Sequence, residues 1–224
     1  MSASGSKLWG GRFDRPPDEA FYEFQRSFPF DRRLLPYELE VNRAWTRAIE
    51  KAGLLTAAEA ASILTALDQI EARAGGDPAW VENSDAEDVH HLVESALVDA
   101  IGPTGWKVHT GRSRNDLVAT DFRLFVRDAT AASGKALGQL VDSLLTQAEH
   151  HAALPMPGMT HLQHAQPMLF AHFLLAHVEG FFRDLDRLEA ARRATRPDQT
   201  PRGLRPLLQG SADLPSQWPE SRRD

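Results

Sequence analysis

The sequence predicts an all-α protein of long antiparallel helices, and three observations carry that prediction. Apolar residues recur at three- and four-residue steps through most of the chain, no window sustains the alternation of a strand, and Leu117 to about Ala153 runs without a proline. No repeat of short period appears, so the pattern is that of a bundle rather than a solenoid.

The elements follow in order. After a loop-like opening, Val41, Ala44, Trp45, Ala48, Ile49 and Ala52 form one helical stripe, with Gly53 placed to cap its end. Thr56 and Glu59 have capping-box spacing ahead of Ile63, Leu64, Leu67 and Ile70, a second helix that closes at Gly75 and Gly76. Ser84 or Asp85 can cap a third, in which Val89, Leu92, Val93, Ala96, Leu97, Ala100 and Ile101 recur until Gly102 and Pro103. Trp106 to Asp116 has no period and reads as a loop. The long helix follows, with Gly134 and Gly138 as its weak points. Pro155, Pro157 and Gly158 break the chain, Thr160 to Gln166 reads as a polar loop, and Pro167 is placed to start a last helix reaching about Thr195.

Composition excludes several classes. The 224 residues carry 25 Lys+Arg against 31 Asp+Glu, a formal charge of -6, which argues against a nucleic-acid partner needing a basic face. The absence of cysteine removes thiol chemistry, zinc fingers and iron–sulfur clusters. The apolar run Met168 to Leu175 is broken by His172 and stops far short of the roughly 20 residues of a membrane helix. Met1 to Lys7 lacks the apolar run of a secretory signal, so a cytoplasmic location is expected. From Arg196 the character changes: five of the 14 prolines fall in the last 29 residues, with no lysine. That tail is expected to be disordered, and its composition is what a frameshifted or truncated reading of a GC-rich gene would give.

Two loops hold residues suited to chemistry. His109 to Asp116, with Arg112, Ser113, Arg114 and Asn115, sets two guanidinium forks beside hydroxyl and amide donors at a helix start, which suits a dicarboxylate. The same residues also read as a capped helix with solvated arginines. Pro157 to Pro167 places Thr160 and His161 in a glycine-hinged turn, where a histidine can move a proton near neutral pH; a structural histidine is the alternative. His90 with Glu87 makes a single Glu-x-x-His pair, and a bundle metal site needs a second, so no metal is expected. His150 and His151 suit a helix C-terminus, and His172 and His177 a helix surface.

Three segments together carry a resemblance: Leu8-Trp9-Gly10-Gly11-Arg12-Phe13, His109-Thr110-Gly111-Arg112-Ser113-Arg114-Asn115-Asp116, and the run from Pro157 to Pro167. The chain resembles the argininosuccinate lyases over roughly Lys7 to Thr195. The resemblance implies a fumarase/aspartase-like fold, with a small helical N-terminal domain at 1–112, the first long helices of a central bundle at 113–195, and a non-family tail at 196–224. It also implies a homotetramer whose active sites combine three subunits. The implied reaction is cofactor-free, metal-free cleavage of argininosuccinate to arginine and fumarate. His161 then corresponds to the proton-transferring residue, Ser27, Asn115 and Thr160 to substrate contacts, Arg112, Ser113 and Arg114 to carboxylate-holding residues, and His90 to a residue lining the same pocket.

Two departures from the family accompany this. Around Val41, Asn42 and Arg43 the family often has a Gly-Ser-x-Ala-His element, absent here. Nothing matches the family's Gly-Ser-Ser-x-Met-Pro loop, whose serine joins in proton transfer, so the 224 residues alone are expected to be inactive. The rival expectation is a non-catalytic, crystallin-like helical assembly module of the same fold.

Overall fold

The computed structural model describes residues 18–195; the Trp-Gly-Gly-Arg opening and the tail expected to be disordered lie outside the described residues. The described chain falls into two units divided between Phe122 and Arg123.

In the first unit, α1 (Glu19–Gln25) is capped by Asp18, and α2 (Phe28–Asp31) leads through a 3-10 turn into α3 (Leu35–Lys51). Helix α4 (Ala57–Gly76) opens on the Thr56–Glu59 capping box that the spacing announces. A short α5 (Pro78–Glu82) precedes α6 (Val89–Ile101). The cap of α6 is Asp88, not Ser84 or Asp85: Asp88 Oδ1 accepts from His91 N at 2.7 Å. The stretch before it is held elsewhere, because Ala86 O accepts from Arg26 Nε and Glu87 O accepts from the amides of Ser27 and Phe28. Gly102 ends α6 with φ of 65°, a conformation that costs glycine nothing. A 3-10 helix, Gly102–His109, takes up the first part of the segment read as loop, Trp106 to His109, with Gly105 pressed so close to the Leu97 backbone that a Cβ would stand 2.8 Å from it.

Helix α4 packs against α3 and α6. Leu39, Ile49, Ile63, Leu67, Val93, Leu97 and Val108 are almost completely buried. Ile49, Ile63, Leu67, Val93 and Leu97 belong to the stripes read from the sequence, whereas Val41, Ala44 and Trp45 are only partly buried and Ala52 is exposed, because α3 turns its Leu35, Leu39, Asn42 and Thr46 phase inward. At about 1.5–3 kcal/mol per large side chain, this packing outweighs the mixed propensities of α3.

The second unit begins within the 37-residue α7 (Arg114–His150), which continues from the first unit. It holds an antiparallel hairpin, β1 (Pro155–Thr160) and β2 (Gln163–Leu169), then α8 (Phe170–Ala194). The hairpin corrects the reading of a polar loop ending in a helix that starts at Pro167. Pro167 lies in β2 opposite Pro157, where neither ring nitrogen owes the ladder a donor. The register shifts between Pro157 and Met159, and Gly158 there lets Gln166 O approach to 2.9 Å of where a Cβ would lie. Both faces of the hairpin are largely exposed, so no apolar alternation marks it in the sequence.

Helix α8 starts at Phe170, whose amide donates to Leu154 O. It returns antiparallel along α7: Ala148, Ala171 and Leu174 are buried together against Leu144 and Phe170, and at the far end Arg123 Nη2 donates to Ala194 O at 2.8 Å. Leu140, Phe173, Leu175 and Phe182 remain exposed. Among the described residues no helix is long and apolar enough to cross a membrane.

Candidate active site

The arginine loop is tied to α3. Gly111 turns the chain with φ of 71°, and Trp45 Nε1 donates to Thr110 O at 3.1 Å. Arg112 runs inward over the Trp45 ring, 5.7 Å from its centroid, and its Nη2 donates to Asn42 Oδ1 at 2.6 Å. Its Nε and Nη1 are buried without a hydrogen-bond partner. The guanidinium is thus an interior cation facing Glu38, Glu94, Asp121 and Asp116, and burial pulls its pKa below the ordinary arginine value.

Arg114 is tied to α6 instead. Its Nη1 donates to both Asp88 oxygens, at 2.6 and 2.8 Å, and its Nη2 lies 3.6 Å from Glu94 Oε2. Glu94 also meets His109 Nδ1 at 2.7 Å. Ser113 caps α7: its Oγ accepts from Asn115 N, while its own N–H donates to Asp116 Oδ2. Asn115 stands exposed at this helix start, with its side-chain amide making no hydrogen bond to the described residues.

Ser27 is exposed and bridges to the same region. Its Oγ donates to Asp31 Oδ2 at 2.6 Å, and Asp31 Oδ1 accepts from Val89 N at the start of α6. Burial raises the Asp31 pKa, against the Ser27 hydrogen bond that lowers it. One residue further on, His90 is buried, with Nδ1 2.9 Å from Glu38 Oε2 and 4.0 Å from Asp121 Oδ2. The first unit therefore gathers Ser27, His90, Arg112, Ser113, Arg114 and Asn115 around the starts of α6 and α7.

The electrostatics of that interior pull three groups apart. Burial alone would raise Glu38, but the hydrogen bond and charge of His90, helped by Asp121 and Arg112, hold it well below the usual glutamate value. Burial would lower His90, and Glu38 reverses that and raises it. Asp121 is pushed far up by burial and by the Glu38 charge beside it.

Thr160 and His161 lie in the second unit, exposed, at the tip of the hairpin. Thr160 pairs with Gln163, leaving His161 and Leu162 as a two-residue turn with φ of 51° and 59°. Two successive left-handed residues make the hairpin turn that normally recruits asparagine and glycine, so the chain holds a histidine at a position of backbone strain.

Sequence reasoning passed over Glu38, Asn42, Thr46 and Asp121, all buried and polar. The signal was present: residues 38, 42 and 46 follow one another at four-residue steps in the buried phase of α3, and Asp121 stands four residues after the buried Leu117.

Known proteins resemble the chain in sequence and in fold. The lyase family profile matches residues 11–199. The argininosuccinate lyase of Acidothermus cellulolyticus is 48% identical over 186 residues, covering 83% of this chain and 38% of that protein. That of Alteromonas mediterranea is 43% identical over 196 residues, covering 88% and 42%. Among solved structures, EDDS lyase in complex with formate is similar at a TM-score of 0.59 and 30% identity, over 70% of this chain and 30% of that one. Fumarate lyase from Mesorhizobium sp. BNC1 is similar at 0.55 and 25% identity, over 80% and 41%. The chain spans about two-fifths of the length of the curated relatives it matches.

Proposed function

The chain belongs to the lyase family, and from that premise we propose that it serves the cleavage of argininosuccinate to arginine and fumarate. The observation that carries this reading is the anchoring of the arginine loop: Arg112 and Arg114 are tied back to Asn42 and Asp88, while the Asn115 amide stays free at the start of α7. Helix-start amides and a free carboxamide suit a carboxylate.

In the proposed reaction a proton leaves the carbon beside a substrate carboxylate and the guanidinium nitrogen departs. Charge builds on that carboxylate in the transition state, so donors fixed around it lower the barrier more than they tighten ground-state binding. We assign those contacts to Asn115, Ser113 and Ser27 of one subunit and Thr160 of another in the proposed tetramer, with Arg112 and Arg114 shaping the loop and supplying positive potential. His161 moves the proton, and its exposed turn position leaves both ring nitrogens accessible to substrate. His90 lines the pocket. No cofactor enters the scheme.

A cytoplasmic homotetramer is part of the proposal, supported by the exposed Leu140, Phe173, Leu175 and Phe182 of α7 and α8, which a second copy would cover. The test is fumarate release from argininosuccinate, followed by ultraviolet absorbance, in a chimaera carrying residues 18–195 in place of the matching segment of the Acidothermus relative. Turnover should fall by about 100-fold or more in His161→Asn and in Asn115→Ala. A folded chimaera that is silent, or that ignores both substitutions, overturns the reading and favours a non-catalytic module.

A further inference from the structure

Three helices of the first unit each send one ionisable side chain to a common interior point: Glu38 from α3, His90 from α6 and Asp121 from α7, all 2% exposed or less. Both oxygens of Glu38 are engaged, Oε1 by Asn42 Nδ2 at 2.7 Å and Oε2 by His90 Nδ1 at 2.9 Å. Asn42 is itself fixed by Arg112, so its orientation is set and it can only donate to Glu38. The Asn42 donor on Oε1 and the Arg112 cation facing the carboxylate keep Glu38 ionised, so Oε2 can only accept. His90 therefore carries its proton on Nδ1, and Nε2 is the nitrogen through which it can act.

Asp121 differs. Neither of its oxygens receives a donor, and the hydrogen-bonding neighbour it faces is the ionised Glu38, itself an acceptor. A second bare carboxylate there would lack compensation, since His90 Nδ1 is 4.0 Å away and already given to Glu38. A proton on Asp121 removes the charge.

We infer that Glu38 is the positioning residue of His90, holding its Nδ1–H so that Nε2 serves the pocket, with Asp121 kept beside the pair as a neutral carboxylic acid. The inference rests on the proposed place of His90 in that pocket. The titratable and charged groups facing His90 are Glu38 on α3, Asp121 on α7, Asp88 ahead of α6, and Arg114 at the start of α7. The same three ligand-capable atoms lie within 4.8 Å of one another, so a divalent cation is the rival way to satisfy the cluster.

The test is nitrogen-detected NMR of the histidine rings in the whole 224-residue chain, with the His90 signal identified by its loss in His90→Asn. The expected spectrum shows Nδ1 protonated at neutral pH and a titration shifted above the ordinary value. Glu38→Gln should abolish both features, Glu38→Asp should restore them in part, and Asp121→Asn should leave Nδ1 protonated. The native spectrum decides even if Glu38→Gln does not fold, because a bare Nδ1 with a proton on Nε2 overturns the inference. Asp121→Asn releasing His90 as fully as Glu38→Gln also overturns it, and so does stoichiometric perturbation of the ring by added zinc. In the chimaera, Glu38→Gln should lower kcat by about tenfold or more with KM little changed, and Glu38→Asp should recover part of it. If the chimaera ignores His161→Asn and Asn115→Ala while the ring behaves as expected, the pocket reading fails and the positioning of His90 stands.

Discussion

Arg114 grips Asp88 through a single nitrogen shared between both carboxylate oxygens, at 2.6 and 2.8 Å, while the same carboxylate caps α6 through His91 N. One aspartate thereby fastens the start of α7 to the start of α6. Its loss removes a cap and leaves a half-buried guanidinium without its main partner.

Asp88→Ala should therefore cost about 2 kcal/mol, combining roughly 1 for the cap with a comparable amount for the pair. Asp88→Asn keeps an acceptor for His91 N and should cost about half as much. Urea unfolding of both variants checks the difference, and equal losses would show that the ion pair with Arg114 carries the whole effect.

Ser113 and Asn115 separate stability from function. Ser113→Ala removes the acceptor for Asn115 N and should destabilise by about 1 kcal/mol. Asn115→Ala, at an exposed position with a free amide, should change the unfolding midpoint little while lowering turnover of the chimaera. The paired measurement is denaturant unfolding with the fumarate assay on each variant.

Asp121 makes stability depend on pH with an unusual sign. Its pKa is raised on folding from an ordinary 3.8, so above about pH 4 the folded chain keeps a proton that the unfolded chain releases, and stability falls as pH rises toward the folded value. Asp121→Asn should gain on the native chain through that window by at most about 1.4 kcal/mol per pH unit. His90, also raised, stabilises fully below about pH 6.5 and loses that contribution as pH climbs through its folded pKa. Unfolding free energies of the native chain, Asp121→Asn and His90→Asn from pH 4 to pH 8 resolve the two slopes.

Leu162 holds φ of 59° in full exposure, a conformation that favours glycine, so Leu162→Gly should stabilise the hairpin by about 0.5–1 kcal/mol and Leu162→Val should weaken it. His161→Asn replaces the ring with a side chain that tolerates the left-handed region better than most non-glycine residues. Loss of turnover in that variant then reports the missing imidazole rather than a broken turn; thermal unfolding beside the assay distinguishes the two.

Helix α4 and the end of α6 were legible because their bounding residues act locally: Thr56 and Glu59 opening α4, Gly102 closing α6. The hairpin was not, because its exposed strands carry no apolar alternation and its turn uses His161 and Leu162 instead of the usual signal residues. The burial of Arg112 was not legible, since only the fold brings Asn42 and Trp45 under it. Glu38 and Asp121 look like ordinary helix-surface acids until the phases of α3 and α7 are fixed by their neighbours.

The seating of Arg112 on α3 has an evolutionary consequence. Asn42 and Trp45 occupy the stretch in which this chain departs from the Gly-Ser-x-Ala-His element of the family it resembles, and it is they that contact the loop of Thr110 to Arg112. Helix and loop thus form one heritable block: a graft of either alone into a relative would meet epistasis, and only a joint transplant would carry the fit across.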